Sequence, residues 1–339
     1  MPQELPLRSL PLHSRILASA RAHSGLCSQI ERASRGAVIL VYHSIAPCSP
    51  PGPRGAYCLD TATLAGHLRF LRRRRQVVPL AAIVAAVKAG AEPDRGWVAL
   101  TFDDALRCQT GLAAEILADH GMPWSLAVPA GLVDRGRSVW TYELAFLLLN
   151  CWERATLRLP GDGDRVWPTD SLRARIDTLK ALKELLMGGR SPADRQVSLD
   201  ALICEFGEAA FRERFEQEGT YAIATWAGLR RLADAGVEML SHGMDHAQHT
   251  VLLSDEELRR DLTCSRARIT EMVRSVPAGY ALPGGLGGER SSRAVAAAGY
   301  EFCLTTRTGR VCAPAPLFAL PRIDAEYPLS VLRWHMLAR

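Results

Sequence analysis

Short apolar runs alternate with longer stretches of helical spacing along most of the 339-residue chain. The runs are AVILVY (37–42), QVVPL (76–80), WVALTF (97–102), WSLAV (124–128), VEML (237–240), YALP (280–283), FCLT (302–305) and LFALP (317–321). They are close to continuously apolar instead of alternating in-and-out, which predicts parallel strands covered on both faces. Between them, apolar positions recurring at helical spacing predict helices over 61–75, 110–120, 226–235, 254–274 and 291–298. Strands and helices in alternation define an α/β fold with a parallel sheet, either flanked by helices or closed into a barrel.

The rhythm breaks between Trp140 and about Glu218. WTYELAFLLLNCWERATL and SLRARIDTLKALKELLM have helical spacing, and LPGDGDRVWPTD separates them with Pro and Gly. This predicts a mainly helical insertion over 140–218, splitting the α/β unit into 37–139 and 219–325. An N-terminal helical extension covers 1–36 and a C-terminal tail 326–339. LRRRRQ (71–76) closes a predicted helix. Arginines there complement the helix dipole on a solvated face, with contact to an anionic membrane or glycan as the alternative.

Composition narrows the classes. Lys and Arg exceed Asp and Glu by five charges, spread along the chain, which does not point to nucleic acid. Nine cysteines, odd in number and without a C-x-x-C pair, do not form a disulfide framework and fit a reducing compartment. No apolar run reaches the roughly 18–20 residues of a membrane span. The first 25 residues lack the apolar centre of a secretory signal; they are Arg-rich and acid-poor like a transit peptide, but an amphipathic helix covering the domain is the preferred reading, and the expected location is cytoplasmic.

Chemistry gathers at the C-terminal ends of the predicted strands. WVALTF runs into Asp103 and Asp104, and two adjacent carboxylates resist ionising together unless something positive lies beside them. The pair is either a solvated turn or the mouth of a site. VEML runs into His242 and, after three intervening residues, His246. Two imidazoles and one carboxylate with an open position make up a catalytic zinc site, although cobalt, nickel or iron accept the same donors. His43 ends the first run, Pro283 and Gly284 follow another, and Arg322 follows the last. In a parallel barrel all these ends meet on one rim, where active sites are built. His249 and Cys108 lie near these stretches without matching a ligand or an activated thiol, and His67, His120 and His335 read as structural.

TFDDA (101–105), SHGMDH (241–246), YALPGG (280–285) and the opening ILVYHSIAP (39–47) occur in the order of four motifs. Together they resemble the polysaccharide deacetylases of the NodB-homology type, carbohydrate esterase family 4, and within it the poly-N-acetylglucosamine deacetylase branch. The resemblance covers about 37–323 apart from the insertion. It implies a distorted (β/α) barrel of about seven parallel strands, binding a divalent metal, Zn²⁺ first and Co²⁺ or Ni²⁺ next. It implies Asp104, His242 and His246 as the metal triad and Asp103 as the catalytic base that takes a proton from the attacking water. Gly284, after Pro283, falls where a backbone N–H helps bind the oxyanion, and His43 matches the acid that protonates the leaving amine. The chain departs from the pattern at Ala105 (usually Gly), Gly243 (usually Ser or Thr) and Ala281, where the third motif has an arginine that orients the base. Arg322 is the expected substitute, from another strand end, and the usual C-terminal acid histidine is missing.

The resulting expectation is a metal-dependent hydrolase removing an N-acetyl group from an amino sugar in a polysaccharide, oligosaccharide or glycolipid precursor, in exopolysaccharide biosynthesis. The alternatives are a deformylase or deacylase of a lipid-linked sugar, and a non-catalytic glycan-binding module on a degenerate esterase fold. The expected partner is an N-acetylated glycan or glycolipid, without nucleic acid and without a transmembrane segment.

Overall fold

The computed structural model describes residues 34–48, 58–249, 253–285 and 287–337. Residues 1–33 of the expected N-terminal extension lie outside them. Eight strands, each parallel to its neighbours, form the central sheet: β1 (Val38–Tyr42), β2 (Gln76–Val77), β3 (Trp97–Phe102), β4 (Ser125–Val128), β5 (Glu238–Ser241), β6 (Gly279–Ala281), β7 (Phe302–Leu304) and β8 (Ile323–Asp324). Seven lie in the order β7-β6-β5-β4-β3-β1-β8. The short β2 pairs with the start of β3 (Gln76 with Trp97), on the edge that β4 takes further along (Ser125 with Thr101).

The sheet curls until its edges meet. Leu320 donates to the carbonyl of Cys303 and accepts from the amide of Thr305, both at 2.9 Å, next to β7. Three residues later, Ile323 pairs with Leu40 of β1. The chain from 320 to 324 thus bonds to both ends of the sheet, giving the expected distorted barrel.

The strands sort their side chains by period two. Ile39, Ala99, Ala127, Leu240, Ala281 and Leu304 share one core cluster with Ile83 and Val84 of the helix Leu80–Lys88. Val38, Leu40, Tyr42, Leu100, Phe102, Leu126 and Val128 belong to a larger cluster, packed with Leu64, Leu68 and Leu71 of the helix Thr61–Arg74. Fully burying such a side chain stabilises by about 1.5–3 kcal/mol, so shifting a strand by one residue would be strongly unfavourable.

Two strand expectations need correction. LFALP is not a strand: Leu317–Ala319 make one tight helical turn, and the strand is Ile323–Asp324. Pro316 and Pro321 carry no N–H for a ladder, and the apolar run reflected burial instead. Of QVVPL only Gln76–Val77 is strand, because Pro79 sits at the cap position of the helix Leu80–Lys88.

The chain between β4 and β5 contains the helices Trp140–Phe146, Leu172–Gly189, Pro192–Phe206 and Glu208–Glu218. LPGDGDRVWPTD, between the two runs of helical spacing, forms part of a small antiparallel hairpin, Thr156–Arg158 with Val166–Pro168. Phe146 packs edge-on against Phe211 and Phe215 in its core. Arg72, Arg73 and Arg74 occupy the last turn of the helix Thr61–Arg74 on its exposed side. Among the described residues no helix is long and apolar enough to cross a membrane.

Candidate metal centre

Adjacent residues of a strand point to opposite faces, so Asp103 and Asp104 can serve one site only if the backbone leaves the extended conformation between them. It does: φ is 79° at Asp104 and 50° at Ala105, left-handed values uncommon for residues other than glycine. Asp103, on the face of Ala99 and Thr101, lies at the barrel mouth, and the turn brings Asp104 beside it. Both side chains are buried. Ala105 therefore occupies a position where glycine would be unstrained, which is the physical content of that departure from the family pattern.

His242 and His246 arrive from the end of β5. Nε2 of each lies 3.4 Å from Oδ1 of Asp104, and the imidazole centroids are 4.7 Å apart. One donor atom from each of the three residues falls within 4.8 Å of the others. His242 Nδ1 lies 2.8 Å from the carbonyl oxygen of Ala281. A carbonyl only accepts, so Nδ1 carries a proton and Nε2 is the ring nitrogen turned towards Asp104, the outer-shell arrangement that orients a ligating imidazole. Asp104 Oδ1 is buried and has no hydrogen-bond partner. An orphaned carboxylate oxygen facing two imidazole nitrogens fits a divalent cation, and the donor set is that of an open catalytic zinc site.

The surrounding charges act in the same sense. Burial tends to raise the Asp104 carboxyl, but His242, His246 and His43 outweigh it and hold it below the ordinary range. His246 is pushed down to about 4 by burial, so its ring is neutral and able to donate a lone pair.

Asp103 is held by Arg322. Nη1 donates to Oδ1 at 2.8 Å and Nη2 to Oδ2 at 2.7 Å, and the guanidinium is fully buried. Arg322 Nε donates to the carbonyl of Thr305 at 3.0 Å, which fixes the fork. Burial would raise the Asp103 carboxyl, yet Arg322 and then His242 keep it low, so it stays ionised. Its Oδ2 lies 4.0 Å from His242 Nε2, beside the three-donor cluster.

Across the mouth, the backbone N–H of His43 donates to Glu326 Oε1 at 2.9 Å and Nδ1 lies 3.1 Å from the same oxygen. Burial lowers the His43 pKa, but Glu326, Asp104 and Asp103 outweigh it and push it up to about 10. Burial and Glu326 together also push the Asp324 carboxyl up to about 7.

Pro283 and Gly284 form a tight turn after β6, with Gly284 at φ 62° and Gly285 at φ 65°. A Cβ on Gly285 would lie 1.8 Å from Thr306 Oγ1. Gly285→Ala is therefore expected to cost about 2–4 kcal/mol, from left-handed backbone and overpacking together, seen as a lower denaturant midpoint with an unchanged slope. Gly243 has φ 78°, and a Cβ there would meet Asp261 Oδ2 at 2.7 Å. Asp261 Oδ1 instead accepts the Met244 amide at 2.8 Å, so the absence of Ser or Thr is tied to this carboxylate. His249 lies 2.9 Å from the hydroxyl of Tyr280, outside the three-donor cluster, and His335 packs edge-on against Tyr327.

Several residues of this region were missed from sequence. Tyr142 donates its hydroxyl to Asp104 Oδ2 at 2.7 Å. Gln109, fully buried, donates Nε2 to the carbonyls of His43 and Asp103 and accepts the Leu106 amide, tying the ends of β1 and β3 together. Glu326 lay in what was expected to be a tail. None of the three belongs to a short motif; only position in the fold identifies them.

A curled parallel α/β barrel with carboxylates and imidazoles converging on one rim defines the class. The sequence model described as "Polysaccharide deacetylase" matches residues 213–303, which include His242, His246 and the Pro283–Gly284 turn. Over that stretch, about a quarter of the chain, the protein is similar to the polysaccharide deacetylases. No curated protein matches it. Among solved structures, it is similar to the deacetylase PplD of Streptococcus pyogenes in complex with acetate (15% identity, 86% of this chain and 93% of that one, TM-score 0.56). It is similar to IcaB from Ammonifex degensii (16%, 89% and 98%, TM-score 0.56). A de-N-acetylase from Aggregatibacter actinomycetemcomitans has 14% identity over 88% and 99%, with a TM-score of 0.53. At these identities the likeness concerns the fold.

Proposed function

We propose that this protein is a metal-dependent hydrolase that removes the N-acetyl group from an amino sugar within a glycan or glycolipid, on the pattern of the poly-N-acetylglucosamine deacetylases. The observation that carries the reading is the buried Asp103–Arg322 pair set 4.0 Å from a His242 that shares a three-donor cluster with Asp104 and His246. A glycan-binding module has no use for an ionised, arginine-clamped carboxylate at that place.

Asp104, His242 and His246 would hold the cation, with zinc first and cobalt or nickel as alternatives. When bound, a divalent cation supplies Lewis acidity to the amide carbonyl and acidifies water. The chain's own residues do the rest. Asp103, kept ionised by Arg322, accepts the proton of the attacking water. The N–H of Gly284, in its tight turn after Pro283, is a fixed donor for the oxyanion. His43, held protonated by Glu326, gives its proton to the departing amine. Eight free cysteines among the described residues support a reducing, cytoplasmic setting, and a substrate made there for an exported polysaccharide.

The test is acetate release from N-acetylglucosamine oligomers by metal-stripped protein reloaded with zinc, cobalt or nickel. Release that appears on reloading and disappears with chelator is expected. A protein that binds metal yet frees neither acetate nor formate from acylated amino sugars would overturn the enzymatic reading in favour of a glycan binder.

A further inference from the structure

The helical chain between β4 and β5 returns to the barrel directly beneath the aspartate pair. Tyr142, in the helix Trp140–Phe146, donates to Asp104 Oδ2 at 2.7 Å. The Tyr142 ring stacks on Tyr221, at the far end of the same excursion, with centroids 4.6 Å apart and planes 16° from parallel. The Tyr221 carbonyl accepts the Ser138 hydroxyl, so residues from both ends of the excursion meet under one carboxylate. Next to Tyr221 the backbone is stitched to the chain just after Asp104. Arg107 N–H donates to Ala222 O at 2.7 Å, Ala224 N–H donates to Ala105 O at 2.8 Å, and Leu106 bridges Ile223 antiparallel. Ser44 Oγ donates to Thr220 O at 2.7 Å, and Arg107 pairs with Glu216 at 2.6 Å.

Asp104 and Ala105 are two of the four non-glycine residues with positive φ among the described residues, and such a backbone persists only where its surroundings hold it. A carboxylate is also free to exchange its two oxygens by rotation unless one is claimed. Here Oδ2 is claimed by Tyr142 and Oδ1, the orphan, faces both imidazoles.

We infer that the excursion braces the metal centre, with Tyr142 as the positioning residue that assigns Asp104 Oδ1 to the cation while the 222–224 segment holds the left-handed turn beneath it. The inference rests on the metal site proposed above. An outer-shell partner of a metal ligand is worth about 10–100-fold in affinity, so Tyr142→Phe, which deletes one oxygen and keeps the stacked ring, is expected to weaken zinc binding by that factor.

The experiment is calorimetric zinc titration of metal-stripped wild type, Tyr142→Phe and His242→Ala, with the visible spectrum of the cobalt-loaded proteins as a second readout. The expected result is tight binding in wild type, none in His242→Ala, and binding weakened by about 10–100-fold with an altered cobalt spectrum in Tyr142→Phe. The thermal melt of metal-free Tyr142→Phe should stay cooperative. Wild-type affinity and spectrum in Tyr142→Phe overturn the brace while leaving the metal site standing. No binding by wild type removes the metal site itself, and the brace with it. Should Tyr142→Phe lose its cooperative melt, Tyr221→Ala removes the supporting ring and leaves the hydroxyl; an unchanged zinc affinity there overturns the inference equally.

Discussion

His242→Ala is expected to abolish tight zinc binding, lowering affinity by well over about 100-fold, since even an outer-shell partner is worth 10–100-fold. Three protein donors are the minimum of a catalytic zinc site. The substitution leaves two, one of them a carboxylate whose second oxygen is already engaged by Tyr142. Calorimetry reads this directly. Thermal denaturation reads it independently, because zinc at 100 times its dissociation constant stabilises a folded protein by about 2.7 kcal/mol. Wild type should gain that increment and the variant should not. The metal-free variant loses about 1–3 kcal/mol of its own, because the Ala281 carbonyl that accepted from Nδ1 is left buried and unpaired. His249→Ala provides the contrast. That ring bonds to Tyr280 outside the donor cluster and its loss should leave zinc affinity unchanged. Equal zinc affinity in wild type and His242→Ala would place the metal elsewhere or nowhere.

What could be read in the sequence follows from how local each signal is. The strands of the barrel were legible because burial on both faces leaves almost no polar residue in VILVY or WVALTF. The same rule misled at LFALP, where the residues are apolar but prolines remove the ladder donors. Asp103, Asp104, His242 and His246 were legible because each pair is compact in sequence and ends a strand. Tyr142, Gln109 and Glu326 were not. Their partners are Asp104, the carbonyls of His43 and Asp103, and the His43 imidazole, brought near only when the barrel closes and the helical chain returns. A tyrosine in a helical run, or a glutamate beyond the last strand, has no local pattern to distinguish it from solvated or core neighbours.

Arg322 lies between these extremes: its place after an apolar run marks it as a stand-in for the arginine absent at Ala281, and its guanidinium makes two parallel bonds to Asp103. Arg322→Ala should carry two separable deficits. Removing one partner of a buried ion pair leaves the other charged and unpaired, at a cost of about 3–5 kcal/mol, and denaturant unfolding should report a loss of that order. The sign with pH follows from Asp103. Its folded pKa is depressed, burial being outweighed by Arg322, so the pair's contribution is present in full above the ordinary aspartate value of about 3.9 and is lost as pH falls through the lower folded value. The deficit should therefore be complete at neutral pH and shrink in acid. Turnover carries the second deficit. With the clamp gone the carboxylate loses both its orientation and the charge that keeps it ionised, and a positioned general base is worth about 10²–10⁴ in rate. Zinc affinity should change far less, because Arg322 makes no hydrogen bond to Asp104, His242 or His246, and Asp104 and His242 keep their bonds to Tyr142 and to the Ala281 carbonyl. Arg322→Lys restores a charge but not the fork and should recover stability more fully than rate. Wild-type turnover in Arg322→Ala would mean that Asp103 needs no arginine to act, and the base would have to be sought elsewhere on the rim.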